Sequence, residues 1–118
     1  MAAVVLFNTN PVAANATVVS SATALTAPYR GLVVTIAQAM AGTPGPYGCE
    51  VDYAVSIDGG TTYSDWVFIG ACNPAVTNDV CRHDILINDL ADHIKVQIRN
   101  RDGVNQATTL VVTAETFA

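Results

Sequence analysis

Positive charge is scarce in this sequence: five Lys and Arg stand against ten Asp and Glu, for a formal net charge of −5. Three of the five cations, Lys95, Arg99 and Arg101, alternate with other residue types instead of forming the basic stripe that a phosphate backbone demands. No nucleic-acid partner is expected. Charge of either sign is sparse, at 13% of the residues. The resulting surface of Thr, Ser, Asn and Ala suits a protein that works packed against other proteins, and equally a plain soluble domain. Long apolar runs are missing as well. None approaches the ~20 residues of a membrane span, and the amino-terminal apolar run has no basic flank. Neither a signal peptide nor a membrane partner is expected, and the product should be soluble and made in the cytoplasm. Cysteine is limited to Cys49, Cys72 and Cys81. An odd count with no zinc-type spacing predicts free thiols in a reducing compartment, with a Cys72–Cys81 bridge across a loop as the alternative.

What the sequence does have is Val, Thr and Ala, a composition that favours sheet over helix in a chain of 118 residues, enough for one domain. Residues 2–8 read as a first strand, and residues 1–10 as a possible extended arm. Further strands are expected at 16–20, near Thr23, and at 32–37. Glu50, Asp52, Ala54 and Ser56 alternate with Val51, Tyr53, Val55 and Ile57, the period of a half-buried strand. Trp66 to Ile69 is uniformly apolar, which predicts a strand buried on both faces with Trp66 in the core. Residues 82–87 form another strand with Ile85 and Ile87 on one face, and Leu90 in the following turn is expected to point inward. Ile94, Val96 and Ile98 alternate with Lys95, Gln97 and Arg99, and Leu110, Val112 and Ala114 with Thr109, Val111 and Thr113. About eight short strands with turn signals roughly every ten residues predict an all-β, single-domain antiparallel sandwich, jelly-roll or immunoglobulin-like.

Between the strands at 50–57 and 66–69 lies Ser56-Ile57-Asp58-Gly59-Gly60-Thr61-Thr62-Tyr63. It resembles the Asp-box of sialidases and other β-propellers, Ser-x-Asp-x-Gly-x-Thr followed by an aromatic. That resemblance implies a turn in which the Asp carboxylate accepts backbone N–H bonds and Gly takes the strained dihedral. Propellers carry several copies and this chain carries one, so sialidase activity does not follow. Ser56, Asp58, Gly60 and Thr62 are expected to be structural. Cys81-Arg82-His83-Asp84 lacks both an oxyanion partner and metal-type spacing to Cys72, Asp92 or His93. A strand with a polar outer face accounts for it. No catalytic residue, metal or cofactor is expected. Tyr63 and Trp66 flank the turn, and the alternative to core packing is an aromatic platform for sugar.

The hairpin and the two closing strands, Ile94-Lys95-Val96-Gln97-Ile98-Arg99-Asn100 and Thr109-Leu110-Val111-Val112-Thr113-Ala114-Glu115, give the chain the style of a known class. It resembles the head-decoration, or cement, proteins of tailed bacteriophages. That resemblance implies a non-enzymatic virion protein on the outer capsid surface. It implies a homodimer or homotrimer that clamps neighbouring major capsid subunits through terminal strands. Ala2, Val4, Leu6 and Phe7 are the expected capsid or subunit contacts, being terminal, apolar and edge-like. The alternatives are a carbohydrate-binding module and a phage tail domain.

Overall fold

The computed structural model describes residues 4–8, 10–25, 31–42, 48–72, 77–87 and 90–117. Nine strands are described: β1 Val4–Phe7, β2 Thr17–Val19, β3 Thr23–Ala24, β4 Gly31–Met40, β5 Cys49–Ser56, β6 Val67–Ala71, β7 Asn78–Leu86, β8 His93–Asn100 and β9 Ala107–Phe117. They form two antiparallel sheets, one in the order β1-β9-β4-β7 and the other β2-β8-β5-β6, with β3 continuing β2 along the edge of β8. The chain is therefore an all-β sandwich, as its composition predicts.

The pairings are nested. β1 pairs β9, β2 and β3 pair β8, β4 pairs β7, and β5 pairs β6. A long antiparallel hairpin rolled over two sheets produces this order, which is jelly-roll connectivity. An immunoglobulin sandwich would instead place strands that follow one another in sequence side by side in one sheet. Among the described strands, β5 and β6 alone do so.

Strict alternation builds the core. Leu32, Val34 and Ile36 of β4 and Leu110, Val112 and Ala114 of β9 line one sheet, and Val51 of β5 with Ile94, Val96 and Ile98 of β8 lines the other. The register Val51↔Ile98, Tyr53↔Val96 and Val55↔Ile94 sets the apolar side chains of β5 and β8 on one face. Full burial of each Val, Leu or Ile is worth about 1.5–3 kcal/mol.

Four expectations are corrected. β1 pairs with the chain's own β9, and Leu6 and Phe7 are buried in the core, so these two side chains are not available to a capsid or a sister subunit. Val4 is half-buried, Val5 is exposed, and Ala2 lies outside the described residues. β6 is an edge strand rather than a doubly buried one, and Trp66, Val67 and Phe68 are exposed. Apolar composition alone does not report whether a strand has neighbours on both sides. Leu90 is exposed, and Ala91 beside it is buried in its place. Strand β7 begins at Asn78, four residues before the strand expected at 82–87.

Candidate functional site

The Asp-box-like segment forms the turn that its residues predict, but within a ten-residue loop, 57–66, between β5 and β6. Asp58 Oδ1 accepts from the backbone N–H of Thr61 at 3.1 Å and of Thr62 at 2.9 Å, while Oδ2 accepts from the Thr62 hydroxyl. Ser56 Oγ donates to Asp58 Oδ1 at 2.7 Å and accepts from Gly60 N at 2.9 Å. Bonds from Thr62 and Ser56 hold the Asp58 carboxyl well below the usual carboxylate range. Gly59 and Gly60 both take positive φ, and at Gly60 a Cβ would also stand 3.3 Å from the Tyr63 hydroxyl. Gly59 N donates to Asp92 Oδ2 at 2.9 Å, and Asp92 Oδ1 lies 2.9 Å from His93 Nδ1, which ties the loop to the start of β8. All four residues named from the motif, Ser56, Asp58, Gly60 and Thr62, belong to this one turn.

The loop leads onto the outer face of the β5–β8 sheet. The Lys95 ammonium lies 4.1 Å from the centroid of the Tyr63 ring and 5.3 Å from that of Trp66, two cation–π contacts. Farther along this face, Arg99 Nη2 donates to Asp52 Oδ1 at 3.1 Å and pairs with Glu50 Oε2 at 3.1 Å. Arg99 Nε is 3.0 Å from Asp52 Oδ2 but lacks hydrogen-bond alignment, so Nη2 carries the directional bond. Gln97 Nε2 donates to the same carboxylate at 2.9 Å, and Arg101 reaches Glu50 at 3.4 Å. This ladder explains why Asp52 is buried on an outer face, since a carboxylate leaves water only when paired.

The edges β6 and β7 close one side of the sandwich. β7 turns Asp79, Cys81, His83 and Ile85 inward, because they stand opposite Gln38, Ile36, Val34 and Leu32 of β4. Gly70 of β6 receives the His83 imidazole: a Cβ there would overlap Nε2 and its ring neighbours, so no side chain fits without movement. One step along the same seam, the ligand atoms of Cys72, Asp79 and Cys81 all lie within 4.8 Å of one another. Cys72 N donates to Cys49 O at 3.2 Å, and Cys49 N donates to Gln38 Oε1 at 3.2 Å. Burial pushes the Cys49 thiol up to about 11 and those of Cys72 and Cys81 upward too. All three cysteines are free thiols. Asp92 and His93, the partners weighed for Cys81 from the sequence, sit instead beside the 57–66 loop; Asp79 had no sequence signal at all.

Another feature invisible in the sequence is a polar node at the end of β8 away from the 57–66 loop, where Asn100 stands opposite Cys49. Buried Asn100 donates through Nδ2 to the carbonyls of Val12, Ala13 and Asn105, and its Oδ1 accepts from Asp102 N. Asp102 Oδ1 in turn accepts from Val104 N and Asn105 N. The node joins the loop after β1 to the turn before β9, a structural role. No helix among the described residues is long and apolar enough to cross a membrane. No protein family, curated protein or solved structure matches this chain.

Proposed function

We propose that the chain is a non-enzymatic structural protein of a virion. In this reading it sits on the outside of a tailed-phage capsid as a homodimer or homotrimer and clamps neighbouring major capsid subunits. One observation carries the reading: the apolar side chains exposed at the two edge strands on one side of the sandwich, beyond which no further strand pairs among the described residues. Trp66, Val67 and Phe68 stand at β6, and Val80 and Leu86 at β7, with Phe68 56% and Leu86 72% exposed. Val80 also lines a shallow concavity with Ala37, Ala39, Asn78 and Thr109. Natural sheets cover such edges with charge, proline or another element, so an uncovered apolar edge suits addition of a partner's strand. Several weak contacts of this kind across an oligomer multiply into firm attachment. The interface therefore moves from the amino-terminal strand to β6 and β7. Jelly rolls recur in capsid and lectin domains, which supports the reading by analogy of fold only.

The test is co-sedimentation with the expanded heads of the virus that encodes the chain, compared with unexpanded heads. Binding to expanded heads that Phe68→Ser abolishes is the expected result. Failure of the wild-type protein to bind either form overturns the reading.

A second reading, sugar binding, is favoured by the exposure of Trp66 beside Tyr63 and a row of polar side chains. Lys95 already lies over both rings, so a sugar would have to displace its ammonium or take the opposite faces. Trp66 is the sole tryptophan, and its fluorescence titrated with mono- and oligosaccharides checks this reading directly.

A further inference from the structure

The seam between β6 and β7 gathers sulfur, carboxylate and unpartnered nitrogen that the proposed docking role does not use. Cys72 is 1% exposed, and Cys81 and Asp79 are half-buried, so the cluster lies at the margin of the core and within reach of solvent. Its three ligand atoms come from edge strand β7 and from Cys72, the residue that follows edge strand β6 of the other sheet; the pairing of β4 with β7 and of β5 with β6 brings them together. The 4.8 Å envelope of these atoms is wider than a bound site by a little. Around a tetrahedral zinc, with bonds of about 2.3 Å to sulfur and about 2.0–2.2 Å to oxygen, ligand atoms stand roughly 3.5–3.8 Å apart. Rotamer adjustment of three side chains covers that difference.

A second, independent observation points to an occupant. Gln38 is 3% exposed, and its Nε2 is buried without a partner. Its orientation is fixed, because Oε1 must accept from Cys49 N at 3.2 Å. Gln38 stands opposite Asp79 in the β4–β7 register and shares its inward face. Its amide donor is thus stranded beside the cluster, where an anionic metal ligand, thiolate or carboxylate, would satisfy it. Such donors commonly support metal-bound thiolates and carboxylates from the outer shell. His83 Nε2, next along the seam, is likewise buried without a hydrogen-bond partner.

We propose that Cys72, Cys81 and Asp79 form a binding site for a borderline-soft divalent ion of the Zn²⁺ class, with the fourth coordination position open to water. Two sulfurs among three donors select against Mg²⁺ and Ca²⁺, which take oxygen ligands. On binding, each thiol gives its proton to solvent and its sulfur forms one bond to the metal, with no change of oxidation state. The bound ion would pin β6 to β7 and so fix the side of the sandwich that carries the exposed apolar residues.

The experiment titrates the reduced, metal-free protein with Co²⁺ as a spectroscopic substitute. The expected result is a one-to-one complex with thiolate-to-cobalt charge transfer and the intense visible bands of tetrahedral cobalt, both bleached by Zn²⁺. Cys72→Ser and Cys81→Ser should each abolish the charge-transfer band, while Cys49→Ser keeps it. Asp79→Asn should weaken binding by at least the cost of losing an outer-shell partner, about tenfold. Circular dichroism confirms that each variant is folded. Absence of charge transfer in the wild-type protein overturns the site without reference to any variant. Its persistence in folded Cys72→Ser or Cys81→Ser, or its loss in folded Cys49→Ser, overturns the ligand set. Capsid binding is scored separately with and without Zn²⁺, so either proposal can fail alone.

Discussion

The loop 57–66 and the β6–β7 seam are neighbours in the chain, joined through β6, yet they are built on opposite plans. In the loop, the bonds that shape the Asp58 turn run between residues four or fewer positions apart: Ser56 to Asp58, Asp58 to Thr61 and Thr62, Ser56 to Gly60. In the seam, the partners are far apart in sequence: Gln38 with Cys49, and His83 against Gly70. A local constellation is written in consecutive letters, so the motif announces it. The seam exists only because a jelly roll lays the edge of one sheet beside the edge of the other. The comparison predicts that the loop should respond to local substitutions with modest, self-contained losses, and that the seam should respond through coupling between distant residues.

The largest effect is expected at Gly70. A methyl group there must displace the His83 imidazole, and overpacking of this kind costs about 1–3 kcal/mol. Urea denaturation of Gly70→Ala, His83→Ala and the double variant forms a cycle that reads the coupling. The double variant should recover much of the loss; strictly additive losses would break the claim that the two residues share one space.

Gly60→Ala follows. Its φ of +89° is unfavourable for any residue with a Cβ, at about 1–2 kcal/mol. This loss should add to that of Gly70→Ala, because the loop and the seam share no contact between these positions. Non-additivity in equilibrium unfolding would merge the two regions into one.

Acid and alkali should then separate them. The folded Asp58 carboxyl lies below its ordinary value of 3.8, so its contribution is present above about pH 4 and is lost as pH falls from there. Asp92, lowered chiefly by its bond to His93, acts in the same direction. The thiols have the opposite sign: Cys49 is raised from 9.0 to about 11, so its contribution is full below pH 9 and fades as pH climbs toward 11. Melting temperature against pH should therefore fall on both limbs. Asp58→Asn should flatten the acid limb and leave the alkaline one, and Cys49→Ala should do the reverse. Flattening of both limbs by either variant would contradict the separation.

The smallest effect on stability belongs to Phe68→Ser, expected within about 0.5 kcal/mol of the wild type because the side chain is already exposed. A large loss in thermal unfolding would mean that the β6 edge supports the fold rather than a partner.

Much of this architecture was legible beforehand. Alternation located β5, β8 and β9 within a residue or two, since a side chain's face in a strand depends on its parity alone. The Asp58 turn was equally plain. Trp66 to Ile69 misled because an apolar run is the same whether its strand is central or at an edge, and edge position is a property of the pairing list. Leu6 and Phe7 misled for the converse reason, since a terminal strand looks free until β9 is known to lie beside it. Asp79 carried no signal, and its meeting with Cys72 and Cys81 depends on crossing from one sheet to the other.

The sequence by itself therefore determined what parity and near-neighbour hydrogen bonds can specify: an all-β chain, its half-buried strands and one rigid turn. Tertiary structure alone decided which strands became edges, which apolar side chains stayed in water, and that two thiols, a carboxylate and a stranded amide came together. The physical reason is range. Backbone dihedrals and turn bonds act over a few residues, whereas burial and the meeting of side chains at a seam depend on how the long hairpin rolls into two sheets.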